Sequence, residues 1–201
     1  MTEDTAPETE GEAAGLRDRL VRAGVELVDT EGAQALSLRE IARRAGVSHG
    51  APRRHFPTHL DLLSAIAREG FRELGARVAG VPETEPRARV EALARVYLDF
   101  AATRGGMYEL MFRHDLLESG RLGLRDTSLP LFAHFAELLV RARPDGTADP
   151  ATAAGALWAN LHGIAQLSRW GSLRLATGAD DVAPLLAAVL DAHLGPARDG
   201  R

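Results

Sequence analysis

Cysteine is absent from all 201 residues. That excludes disulfide staples, zinc–thiolate centres and cysteine nucleophiles. Lysine is absent as well: the 24 basic residues are all arginine. Together with abundant alanine and glycine, this reads as the coding bias of a GC-rich genome rather than as a mechanism. No apolar run approaches the roughly 18 residues of a membrane helix. The opening Met-Thr-Glu-Asp carries no basic, apolar leader. A cytoplasmic protein with no membrane partner is the expectation. A chain of this length should bury roughly 70% of its unfolded surface, enough for one sizeable core or a small domain fused to a larger one.

Alternating strand patterns are missing too, and apolar residues recur at helical spacing throughout. The expected fold is all-α, with about nine helices and no internal repeat. Residues 1–14 hold five acids, no base and almost no large apolar side chain, so they read as a disordered acidic tail. Leu16, Leu20, Ala23, Leu27 and Val28 then mark a helix that Gly32 stops. Ser37 and Glu40 predict a capping box for a helix over 38–45, and Gly46 a turn at its end. Ser48 is expected to cap a second short helix ending near Phe56-Pro57. Thr58 and Asp61 predict the start of a long helix over 59–79. Gly80, Pro82 and Pro86 mark a boundary, separating domains over 15–80 and 81–201. Beyond it, apolar stripes predict further helices, including one opened by Asp149-Pro150 and reaching about Ala176, and a last one near 181–194.

Net charge is −4, which alone argues against a nucleic-acid partner, but its distribution argues the opposite. Residues 36–59 carry five arginines against Glu40 alone, with His49, His55 and His59 among them. A local basic patch on an acidic chain is the footprint of a polyanion site. Within SLREIARRAGVSHGAPRRHF (37–56), Ile41, Ala45 and Val47 take the buried positions of a helix-turn-helix. Ala42 is small where the helices touch, and Gly46 stands at the turn. Such a pair lets the second helix enter a DNA major groove while the first crosses the backbone.

These residues give the chain its resemblance to the tetracycline-repressor-like (TetR/AcrR) regulators. The match runs from about Leu16 to Ala67, centred on LSLREIARRAGVSHGAPRRHFPTHLDLL. In the second half, WANLHG (Trp158, His162, Gly163) is similar to the C-terminal signature of one branch of that family. The resemblance implies a ligand-responsive transcriptional regulator, with repression the expected action, bound as a dimer to a palindromic double-stranded operator. It implies backbone contacts from Ser37, Arg39, Arg53, His55 and His59, with Arg54 on the same basic helix. It implies that Ser48, His49, Gly50 and Ala51 face base edges. Arg53 and His59 stand where the family commonly has Tyr and Lys, and Pro52 where it has Leu. Pro52, taken as near the fourth helical position, is expected to bend the helix.

Aromatic and Met residues of the second half are read first as core: Phe100, Met107, Met111, Phe112, Phe132, Phe135, Trp158 and Trp170. The family resemblance implies that some of them line an effector cavity, namely Phe100, Met107, Met111, Phe132, Phe135, Trp158 and His162. Small residues at Ala151, Ala154, Gly155, Ala159, Gly163 and Ala165 permit close helix approach. They predict a homodimer through the helices near 151–176 and 181–194. No cofactor, metal or enzymatic activity is expected. Gly46-Val47-Ser48-His49-Gly50 matches the nucleophile elbow of esterases, but that motif needs a preceding strand where helix is expected here.

Overall fold

The computed structural model describes residues 10–143 and 149–196. Among them are eleven α-helices and no strand: α1 (Glu10–Glu31), α2 (Leu38–Arg44), α3 (Ala51–His55), α4 (His59–Ala79), α5 (Pro86–Thr103), α6 (Gly105–Met111), α7 (His114–Ser119), α8 (Leu124–Ala142), α9 (Pro150–Arg169), α10 (Ser172–Thr177) and α11 (Ala183–Leu194). Short 3-10 turns lie at Ala33–Ala35 and Arg121–Gly123. Residues 1–9 of the expected acidic tail lie outside the described residues. Its last five are helical, because α1 begins at Glu10 rather than near Leu16. Glu-Gly-Glu-Ala-Ala is rich in helix formers, and acids are favoured at the positive end of the helix dipole.

The chain divides into two compact units. One comprises residues up to Gly70 together with Gly106–Arg125; the other comprises Phe71–Gly105 and the residues from Asp126 on. The first unit is built on α1–α3, the first half of α4, α6 and α7. Leu20, Leu27, Ile41, Phe56, Ile66 and Met111 are fully buried in it. Gly24 lets α1 lie against α4, since a Cβ there would collide with Ile66. Gly70 does the same for α6: a Cβ would stand 2.5 Å from the Met111 sulfur and 2.7 Å from Met107 Cγ.

In the second unit, Val90 and Leu93 of α5, Leu138 of α8, Leu157 and Leu161 of α9 and Leu186 of α11 share one apolar cluster. The helix expected from 151 to about 176 is two helices. The chain leaves α9 at Gly171, whose φ of 73° is left-handed, and restarts as α10. Left-handed backbone cannot continue a right-handed helix, and glycine adopts it without steric cost. No helix among the described residues is long and apolar enough to cross a membrane.

Candidate nucleic-acid interface and a second aromatic cluster

Ser37 caps α2: its Oγ accepts from the Glu40 amide at 3.2 Å. The reciprocal half of the expected capping box is not made, because the Glu40 carboxylate is held elsewhere. Arg43 donates to it through Nε at 2.8 Å and Nη2 at 2.5 Å, and Arg44 Nε at 3.1 Å. The Arg43 hydrogen bonds, then those of Arg44, hold the Glu40 carboxyl down to about 2. Arg44 also pairs with Glu31 at the end of α1. Two of the five arginines of the basic stretch therefore brace Glu40, and Arg39 and Arg43 are the exposed arginines of that helix.

The turn after α2 satisfies its terminal carbonyls. Gly46 N–H donates to Arg43 O at 3.2 Å and Val47 N–H to Ala42 O at 3.0 Å. This pair of bonds is the Schellman arrangement, and it needs the left-handed Gly46, φ 68°. Arg19, reaching from α1, donates to Ala45 O at 2.7 Å. Helix α2 is thus anchored at both ends, and the chain is sent on in a defined direction toward α3.

The recognition segment is shorter than its sequence suggests. Helix α3 starts at Ala51, with Gly50 as its N-cap and no side-chain cap. Ser48 acts through its backbone instead, its carbonyl accepting from Ala51 N–H at 3.1 Å. Ser48, His49 and Gly50 therefore lie in the turn that leads into the helix, and all three are exposed. A Cβ on Gly50 would meet nothing within 4 Å, so its backbone is open to a close-approaching partner. Pro52 is the second helical residue, where no intrahelical N–H bond is available to lose. The expected bend has no cause there. The Pro52 side chain is buried and its carbonyl accepts from Phe56 N–H at 2.8 Å. Phe56 is fully buried beneath the guanidinium of Arg17, which sits 5.2 Å from the ring centre.

Arg53 and Arg54 are exposed, and Ala51 and His55 are half-buried. Helix α4 opens with a complete capping box. Thr58 N–H donates to Asp61 Oδ2 at 2.9 Å, and Asp61 N–H to Thr58 Oγ at 3.1 Å. His59 is exposed on its first turn. Of the ten residues singled out in the sequence for this surface, eight are exposed; Ala51 and His55 are the others. Arg17 and Arg19, which buttress the segment from α1, carried no sequence signal beyond their charge. The esterase reading finds helix α2 where the elbow needs a strand.

The second unit holds an aromatic cluster with a polar centre. Trp158 Nε1 donates to the Tyr97 hydroxyl at 3.2 Å, and that hydroxyl lies 2.8 Å from His162 Nδ1. Phe132 meets Trp158 edge-on at 6.2 Å, and the Trp158 and His162 rings are 5.6 Å apart. Burial pushes the His162 pKa down, so the ring is held neutral and Nδ1 can accept from Tyr97. Phe135 packs against the apolar cluster of this unit. Phe100 is fully buried under Arg77. Met107 and Met111 belong to the first unit, against Gly70. The structure thus gathers Phe132, Trp158 and His162, adds Tyr97 from the α5 stripe, and leaves the two methionines elsewhere.

Both clusters fall within known sequence families. Residues 20–66 match the model of bacterial regulatory proteins of the tetR family, and residues 90–193 match that of the tetracyclin repressor-like C-terminal domain. The chain belongs to the tetR family. The first match contains α2, α3 and the start of α4, and the second contains Tyr97, Phe132, Trp158 and His162. Among curated relatives, the nucleoid occlusion factor SlmA of Aliivibrio fischeri is 30% identical over 54% of this chain and 58% of its own length. The HTH-type transcriptional regulator BetI of Yersinia pestis is 36% identical over 41% of this chain and 44% of its own. The chain thus spans about half the length of the curated relatives it matches. Among solved structures, the multidrug binding protein EbrR complexed with ethidium is 27% identical, with a TM-score of 0.63 over 89% of this chain and 98% of that one.

Proposed function

We propose that this tetR-family protein is a ligand-responsive DNA-binding transcriptional repressor. It acts in the cytoplasm as a homodimer on a palindromic operator, and a small-molecule effector releases it. The observation that carries the reading is the acid-free segment Ser48–His55, presented at the end of an anchored helix-turn with Ser48, His49, Gly50, Arg53 and Arg54 exposed. The exposed guanidiniums and the open backbone at Gly50 suit phosphate and base edges. A two-fold dimer places two such segments on half-sites roughly 34–36 Å apart. The dimer is supported by α9, where Gly155 and Gly163 face open space and Leu167 is exposed, and by Trp170, 69% exposed just beyond it. The effector site is supported by the Tyr97–Phe132–Trp158–His162 cluster, whose flat rings suit a planar aromatic compound. Effector binding favours a state in which α4 swings and the two recognition segments leave half-site register.

The test uses duplexes enriched from a random pool by the wild-type protein. Because Arg43 and Arg44 are paired with Glu40, the informative variant is Arg39→Ala/Arg53→Ala/Arg54→Ala. It is expected to fold normally and lose the duplex, and unchanged binding rules the surface out. Arg53→Ala alone is expected to cost about 1–3 kcal/mol with relaxed specificity if it reads a base, or to lower the salt slope by about 1 if it holds a phosphate.

A further inference from the structure

Three of the four residues linking α7 to α8 have positive φ: Gly120 at 57°, Leu122 at 53° and Gly123 at 66°. Leu122 is the one non-glycine residue in that region among the described residues. A leucine there is strained by its Cβ and persists only when its surroundings hold it. Its side chain is 37% exposed, so core packing does not impose the conformation. Two polar contacts grip this segment instead. Arg68 Nη1 donates to the Leu122 carbonyl at 2.7 Å, and Arg121 Nη1 donates to Asp61 Oδ1 at 3.0 Å.

Asp61 and Arg68 are seven residues apart on α4, which puts them on one face, two turns from each other. The adjacent residues Arg121 and Leu122 reach both. Asp61 is only 6% exposed, so its charge lacks water and depends on the Arg121 guanidinium. Its other oxygen accepts from the Thr58 amide and hydroxyl that cap α4. One carboxylate therefore ties the 120–123 turn to the first turn of α4. That turn carries His59 and follows Phe56, the buried residue at the end of α3, within three residues.

We infer that Arg121–Gly123 is a strained latch that positions the first turn of α4, and with it His59 and α3, for DNA. Opening the latch lowers DNA affinity. The inference rests on the DNA-binding reading above. Arg121 is a positioning residue acting through Asp61. Leu124 follows the latch directly and begins α8.

The test compares wild type, Arg121→Ala, Arg121→Lys and the double variant Asp61→Asn/Arg121→Ala on the duplex enriched by the wild type. Arg121→Ala strands a buried carboxylate and is expected to lower both thermal stability and affinity, the latter by about tenfold or more. Arg121→Lys is expected to recover most of the affinity. The double variant removes the stranded charge, so stability is expected to return while affinity stays low. Affinity that returns together with stability overturns the latch and leaves a merely structural ion pair. In the wild type, saturating duplex is expected to slow amide exchange over 58–61 and 120–123 together, and protection of one segment alone also overturns it. This arm holds even if a variant fails to fold. A wild-type protein that enriches no duplex at all fails at the DNA-binding reading, and the latch falls with it.

Discussion

At the scale of single residues, the acidic and imidazole groups show what each cluster needs. Asp61 is pushed up by burial, yet the Thr58 hydroxyl, the Arg121 guanidinium and the Thr58 amide outweigh that and hold it below its ordinary value. It stays ionised, as both a cap and a counter-ion require. His162 is pushed the other way: burial lowers it. His193 is lowered as well, by burial and by Arg143. With a folded value below the ordinary 6.5, the unfolded chain binds more protons than the folded one as the pH drops. The stability from a neutral His162 is therefore complete above about pH 6.5 and declines as the pH falls toward its lower folded value. Thermal melts of the wild type from pH 7.5 to 5 are expected to show that decline, and His162→Gln a shallower one. Equal slopes remove the neutral Nδ1 acceptor from the account. Nitrogen shifts of His162 at pH 7 are expected to report the Nε2–H tautomer, because Nδ1 accepts the hydrogen bond of the Tyr97 hydroxyl.

At the scale of elements, glycine marks where helices meet. Gly106 of α6 lies so close to α1 that a Cβ would strike the Val28 carbonyl oxygen. Backbone cannot move aside as a side-chain tip can, so Gly106→Ala is expected to cost about 1–3 kcal/mol in urea unfolding. An unchanged midpoint means that α1 and α6 are not packed this tightly. The helix-turn-helix was legible in the sequence because its signals are local: Ser37 at a cap, Ala42 at a contact, Gly46 at a turn. Its inner boundaries were less so. Taking Ser48 as the cap moved the start of α3 forward by two residues, and that misplaced Pro52 from a neutral second position to a damaging fourth. The joining of 106–125 to the first unit left no such trace. Periodicity shows that Met107, Leu110 and Met111 form an apolar stripe, but not which helix covers it. The aromatic cluster was legible in Trp158 and His162, four apart on α9. Tyr97 was not, because the bond that recruits it spans 65 residues.

At the scale of the whole molecule, the proposed dimer gives α9 two requirements. In a lone chain, Gly155 and Gly163 sit in a helix interior facing open space. Replacing each with Ala should then stabilise by about 0.5–1 kcal/mol through helix propensity. If a second copy covers this face, the added methyl groups obstruct its approach. Gly155→Ala/Gly163→Ala is expected to shift the protein from dimer toward monomer in sedimentation, and a stabilised protein of unchanged mass removes α9 from the interface. The division of the chain has a further consequence for how such proteins can diversify. The first unit is discontinuous: residues up to Gly70 are completed by Gly106–Arg125 from the middle of the sequence. A recombination that exchanged residues 1–80 with a relative would import Gly70, Asp61 and Arg68 but leave Met107, Met111 and the latch behind. The imported helices would meet foreign partners across two of their tightest contacts. Exchange of residues 1–80 therefore disturbs the packing of the first unit, whereas point changes around Trp158 and His162 leave it intact.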